Sequence, residues 1–228
     1  MPNNAPMKLA SLIFIALAAI TPSILGQDRT PTWFVFLVKG DNPPKAAPDE
    51  ISQYQKAHID NFKRLFDEGK LVTAGPLQDK TQVKRGIVVF CVRTKEEVIG
   101  GFAADPYVQK GFMKVEAFAV IPEYGKLNTS GIDPTGIVEN RIAILEGASL
   151  NAPPEVHDQH LAYLQKEGPK VGLAFYGKLS GPQSVRGVAL FKGKDDQAIT
   201  AWLEQAPLVK AGTLKCTLMP QWLSQGVL

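Results

Sequence analysis

Two hydrophobic rhythms alternate along this chain. Residues 32–39 (TWFVFLVK), 86–93 (GIVVFCVR) and 141–146 (RIAILE) are apolar at nearly every position and rich in β-branched and aromatic side chains, the pattern of strands covered on both faces. Residues 49–68, 95–104, 154–167 and 196–205 instead place apolar side chains three or four apart, the spacing of amphipathic helices. On the first of these, Ile51, Tyr54, His58, Phe62 and Leu65 share one face.

The pattern repeats at a spacing of about 101 to 102 residues, and such internal similarity decides the architecture. His58 lies 17 residues before Gly75 in LVTAGPL, and His160 lies 17 residues before Gly177 in LAFYGKL. Gly86 opens one strand and Gly187 (GVALFKGK) its counterpart, each followed by a helical segment. Asp105-Pro106-Tyr107-Val108 then faces Ala206-Pro207-Leu208-Val209, and Gly111 faces Gly212 before last strands at 112–120 and 213–219. Each half reads strand, helix, strand, strand, helix, strand, which is the split βαβ of the ferredoxin-like fold. A four-stranded sheet with both helices on one face leaves the other face bare, and these strands are too apolar to meet water. The chain is therefore expected to be α+β, two ferredoxin-like βαββαβ repeats packed as an intramolecular dimeric α/β-barrel, with domains at 30–122 and 139–224 and a linker at 123–138. Further assembly into a homo-oligomer is left open.

The first residues have a separate logic. Lys8, the apolar run 9–20, then Pro22, Ser23 and Gly26 form the charged, greasy and polar regions of a secretory signal. The expectation is a signal peptide over residues 1–26 and a periplasmic or secreted mature protein. Ile24 stands where a small residue is usual, so cleavage after Ser23 or retention as an anchor are the alternatives. Twelve apolar residues at ~1.5 Å each span about 18 Å against a hydrocarbon core of about 30 Å. No membrane partner is expected once the signal is removed.

The formal charge of +3 comes with no basic stripe interleaved with aromatics, so nucleic acid is not an expected partner. Cys91 and Cys216 stand far apart in strand-like runs and read as small buried residues, with neither a disulfide framework nor a zinc site indicated.

Candidate chemistry centres on His58. An imidazole on the buried face of a helix costs about 1–3 kcal/mol unless a partner satisfies it. Asp105, expected to end the second helix of the same repeat beside Pro106, is the natural partner, because a split βαβ fold puts both helices on one face of the sheet. The plainer reading is a satisfied core histidine and an ordinary helix-stop aspartate. Tyr54, Tyr107 and Gly75 are candidate substrate contacts, with aromatic packing the plainer role for Tyr54 and a turn for Gly75. Lys84 and Arg85, at the hairpin end, read first as solvated charges and second as an anion site. There is no phosphate-binding glycine loop, no HExxH and no GxSxG, so no metal and no organic cofactor are expected.

The order His58, Gly75-Pro76, Gly86, Asp105-Pro106-Tyr107-Val108 and Gly111 resembles the YCII-related domain, and the second half is similar to a degenerate copy of it. The resemblance implies a small ferredoxin-like domain of the dimeric α/β-barrel type, with an active site built on a His and an Asp, here His58 and Asp105. A relative in that family is a lyase-type enzyme that removes chloride from a hydroxylated aromatic ring. Ala206 stands where the second repeat would need its Asp, and Lys178 follows Gly177 where the family has Gly-Pro, so one competent site is expected, and no role is assigned to His160. Two readings stay open. One is a cofactor-independent acid/base enzyme of lyase or isomerase type acting on a small molecule through His58 and Asp105. The other is a non-catalytic module that binds a small ligand or a protein, with the pair structural.

Overall fold

The computed structural model describes residues 33–147, 152–181 and 184–228, so the signal segment expected at 1–26 lies outside the described residues. Among those residues, no helix is long and apolar enough to cross a membrane.

The first lobe runs β1 (Trp33–Lys39), α1 (Pro48–Asp67), β2 (Leu71–Pro76), β3 (Lys84–Phe90), α2 (Lys95–Gly101), α3 (Pro106–Gln109) and β4 (Met113–Gly125). The second repeats that order in β5 (Asp133–Glu146), α4 (Pro154–Glu167), β6 (Leu173–Ser180), β7 (Val185–Phe191), α5 (Asp196–Gln205), α6 (Pro207–Lys210) and β8 (Lys215–Gln225). Local chemistry explains the ends of α1. Pro48 occupies the first turn, where its missing N–H is no loss, Asp49 and Glu50 complement the helix dipole there, and the Glu50 carboxylate accepts from the Ala47 amide at 2.9 Å. Gly69, at φ +67°, turns the chain out of the helix into β2.

All eight strands join one antiparallel sheet in the order β2-β3-β1-β4-β6-β7-β5-β8. The lobes meet at two seams. At the first, β4 pairs with β6 from Ala119↔Ser180 to Gly125↔Phe175. At the second, β2 and β8 converge: Leu77 bridges Gln221, the Gln78 amide donates to the Pro220 carbonyl at 3.0 Å, and the Ser224 amide donates to Thr73 Oγ1 at 3.1 Å. The result is a nearly closed barrel, an intramolecular version of the dimeric α/β-barrel. The stretch read as a linker is narrower than expected. Glu123 to Gly125 extend β4 into its pairing with β6 of the other lobe, and Asp133 to Val138 extend β5 along β8 of its own lobe.

Strand alternation sorts the core into layers. Phe34, Phe36 and Val38 of β1 and Ile87 and Val89 of β3 point into the barrel, where they meet Phe118, Ile142, Ile144, Phe175 and Val188 from both lobes. Val35 and Leu37, with Val88 and Phe90, point outward beneath the helices, against Leu65, Val98 and Phe102. The unbroken apolar runs are thus buried on both faces. Each fully buried large side chain contributes roughly 1.5–3 kcal/mol. A matching layer, with Ala143, Leu145, Leu164, Tyr176, Phe191 and Trp202, lies under the helices of the second lobe.

Candidate functional site

The helical repeat of α1 puts His58, Asn61 and Leu65 on its buried side, facing the sheet. Asp105 arrives by a different route from the one the sequence suggested. The second helix stops at Gly101, and Asp105 is the N-cap of α3, with Pro106 at the first helical position. That is the arrangement Asp followed by Pro favours, since the carboxylate takes an amide the helix leaves unpaired and proline's fixed φ starts the turn. Asp105 Oδ1 accepts from the Tyr107 amide at 3.0 Å, and Oδ2 lies 2.6 Å from His58 Nδ1. Asp105 is completely buried and His58 is 8% exposed. A carboxylate only accepts, so Nδ1 carries the proton and Nε2 is left as the nitrogen able to meet another molecule. The Phe62 and Tyr107 rings, with centroids 4.3 and 5.3 Å from the imidazole, hold it in place.

His58 forms part of the wall of a cavity of about 650 Å³ between α1 and the sheet, a volume suited to a small organic molecule. Leu37 and Phe62 give it an apolar floor, and Ala74, Gly75 and Pro76 of β2 give it a backbone edge. Trp222 and Ile137 reach it from the second lobe. A smaller cavity of about 320 Å³ shares Gln55, Arg85 and Met113 with the first and includes Tyr107, Phe112 and Lys39.

The structure therefore joins His58 and Asp105 and puts Gly75 at the same cavity. Tyr107 borders the smaller one, its hydroxyl donating to Gln55 Oε1 at 3.2 Å. Burial, and then the nearby Asp105 charge, push the Tyr107 phenol above its usual range, while Arg85 opposes that shift. Tyr54 lines neither cavity. Its ring packs on Tyr107 and Phe112 at 6.4 and 5.9 Å, its hydroxyl donates to Glu50, and Lys110 lies over its face, so it supports Tyr107 from behind. Gln55, Trp222 and Ile137 escaped the sequence reading. Gln55 was detectable, three residues before His58, but nothing local to Trp222 or Ile137 tells which lobe they serve.

The second lobe has no equivalent pair. Ala206 stands at the cap position of α6 without a side-chain cap, and neither nitrogen of the buried His160 has a hydrogen-bond partner. Burial, followed by the charges of His157 and Lys178, lowers the His160 pKa to about 4. Lys178, in the position of Pro76, turns its ammonium to Glu123 Oε1 at 2.5 Å and His157 Nε2 at 2.9 Å. An ion-paired cluster thus occupies this part of the second lobe. Among the described residues, no three His, Cys, Asp or Glu side chains converge as metal ligands do.

Solved structures with the same architecture span almost the whole chain. A candidate monooxygenase from Fusobacterium nucleatum subsp. nucleatum superposes with a TM-score of 0.55 at 7% identity, over 89% of this chain and 98% of the other. A candidate chlorite dismutase gives 0.53 at 10% identity, over 85% and 95%. A heme-binding protein from Thermus thermophilus gives 0.51 at 9% identity, over 85% and 91%. At these identities the likeness is one of fold. No curated protein matches the sequence. The YCII-related domain matches residues 33–122, the span that runs from β1 through β4 and includes both His58 and Asp105. The lobe that carries the His–Asp pair is a YCII-related domain.

Proposed function

We propose that the protein is an acid/base enzyme that moves a proton on a small, largely apolar molecule held between α1 and the sheet, with His58 as the proton carrier. The observation that carries this reading is the 2.6 Å contact between His58 Nδ1 and Asp105 Oδ2 at the wall of a 650 Å³ cavity. A buried carboxylate on Nδ1 fixes the tautomer, makes Nε2 the basic nitrogen and supports the imidazolium that forms when Nε2 takes a proton. In the simplest cycle, Nε2 removes a proton from a carbon acid and returns it to another atom of the same molecule, an isomerisation. In a lyase cycle the carbanion instead expels a leaving group, and the imidazolium gives its proton to solvent. Positioned proton transfer of this kind is worth about 10²–10⁴ in rate.

The test is a screen of the purified protein against enolisable and halogenated aromatic compounds in D₂O, following deuterium incorporation and halide release, with His58→Ala alongside. Turnover that disappears in His58→Ala supports the reading. Saturable binding of a compound whose turnover is the same in both proteins, or is absent in both, overturns it in favour of a binding module.

A further inference from the structure

The charged groups around the cavity carry more information than its volume. The two adjoining cavities share Arg85; among the described lining residues the only other formally charged side chain is Lys39, and there is no Asp or Glu. Other cations nearby are committed. Lys84 pairs with Glu146 at 3.2 Å, Lys114 pairs with Asp41 at 2.6 Å, and Lys110 sits over the Tyr54 ring. Arg85 is different: among the described residues its side chain makes one hydrogen bond, Nη1 to the neutral Gln82 Oε1 at 2.8 Å, which leaves its charge uncompensated. Arg85 is itself exposed, so its pull on an anion is strengthened only on the side where the apolar chamber wall excludes part of the screening water. Its fork of donors also matches a carboxylate in two-point geometry. The rest of the cavity lining asks for the opposite chemistry. Ile59 and Ile137, 52% and 55% exposed, stand at the same cavity as Trp222 and Phe62, an apolar surface that a hydrocarbon or aromatic body would cover.

We propose that the ligand at His58 is a small organic acid, an aromatic-sized apolar body bearing one carboxylate, and that Arg85 is the residue that reads the carboxylate. This rests on the reading of the His58 cavity as the functional site. It also suits the chemistry there: a cation on the carboxylate offsets charge that builds up when a neighbouring carbon loses a proton to His58. Lys39, on the smaller cavity, adds general attraction without the two-point geometry.

The experiment is calorimetric titration of the full protein with matched acids and amides: benzoate and benzamide, phenylacetate and phenylacetamide, 4-hydroxybenzoate and 4-hydroxybenzamide. For at least one pair the acid should bind about tenfold or more tightly than the amide, with the preference shrinking as salt is raised. Arg85→Gln should remove that preference while leaving amide affinity within about twofold, and Arg85→Lys should restore part of it. Circular dichroism of each variant checks that it is folded. Equal affinity for acid and amide, an unchanged preference in folded Arg85→Gln, or no acid bound by about 10 mM overturns the proposal. Binding is measured without turnover, so the two ideas fail separately. Acid preference with activity indifferent to His58→Ala would end the acid/base reading and leave Arg85 in place; His58-dependent turnover of neutral compounds alone would do the reverse.

Discussion

A Cβ placed on Gly75 would overlap the main-chain carbonyl of Trp222, so the second seam of the barrel closes at a point where only hydrogen fits. The same two residues line the cavity at His58. Gly75 therefore acts by permitting close approach of β8 to β2, and through that approach the second lobe walls the first lobe's site. Gly75→Ala should push β8 away, costing about 2–4 kcal/mol in urea unfolding and weakening ligand binding together. A variant as stable as the parent would show that the seam yields easily and that the Gly75–Trp222 approach is not what holds it.

Asp105 has two jobs that substitution can separate. Asp105→Ala removes both the acceptor on His58 and the cap on the Tyr107 amide, leaving buried donors unpaired at a cost of about 1–3 kcal/mol each. Loss of activity in that variant would be hard to tell from loss of structure. Asp105→Asn keeps an acceptor for the amide and the side-chain volume but can no longer support an imidazolium. If His58 carries the proton, turnover should fall by about 10²–10⁴-fold while the unfolding midpoint moves little. A fall in stability with turnover unchanged would make the pair a structural one.

Trp222 offers a test of whether the site belongs to one lobe or two. Its ring is half-buried on β8, far along the chain from His58, yet faces the same cavity. Trp222→Ala should weaken binding of any aromatic ligand by about tenfold or more, since aromatic contacts of this kind contribute roughly 0.5–1.5 kcal/mol beyond the area they cover. Titration at matched protein stability would show it; unchanged affinity would confine the site to the first lobe.

Much of this arrangement is legible in the sequence because it is periodic. The repeat at about 101 residues, the double-faced apolar strands and the spacing of His58 on its helix follow from local patterns, as do the ends of α4 and α5. The end of α2 does not, because Asp-Pro at Asp105 can close one helix or open the next; only the geometry around the Tyr107 amide decides between them. The 123–138 stretch reads as a linker because glycine, proline and polar residues dominate it, while its strand character comes from pairing with β6 and β8. Pairing with strands far along the chain leaves no local signature. For the same reason the sequence does not assign Trp222 and Ile137 to His58, and it gives no sign that Arg85, exposed as a hairpin-end charge should be, borders two cavities.

His160 provides a test in the second lobe. Buried without a partner and close enough to the His157 and Lys178 charges to feel them, it titrates near pH 4 in the folded protein and near 6.5 in an unfolded chain. Between those values the unfolded state holds more protons, so acidification from pH 6.5 toward 4 favours unfolding, and above pH 6.5 His160 adds no pH dependence. The full difference amounts to about 3 kcal/mol. Its surroundings also contain Glu123 and the Tyr176 hydroxyl, the latter pushed upward by burial, and Glu123 is engaged by Lys178. His160→Leu replaces the unpaired imidazole by an apolar side chain of similar reach, so at pH 7 it should be neutral or mildly stabilising. Urea unfolding of parent and variant at intervals from pH 7.5 to 4 should give curves that run parallel above pH 6.5 and diverge below it, the variant losing less stability. Parallel curves over the whole range would mean that His160 gains a partner or water in solution, and the second lobe would then hold a satisfied histidine after all.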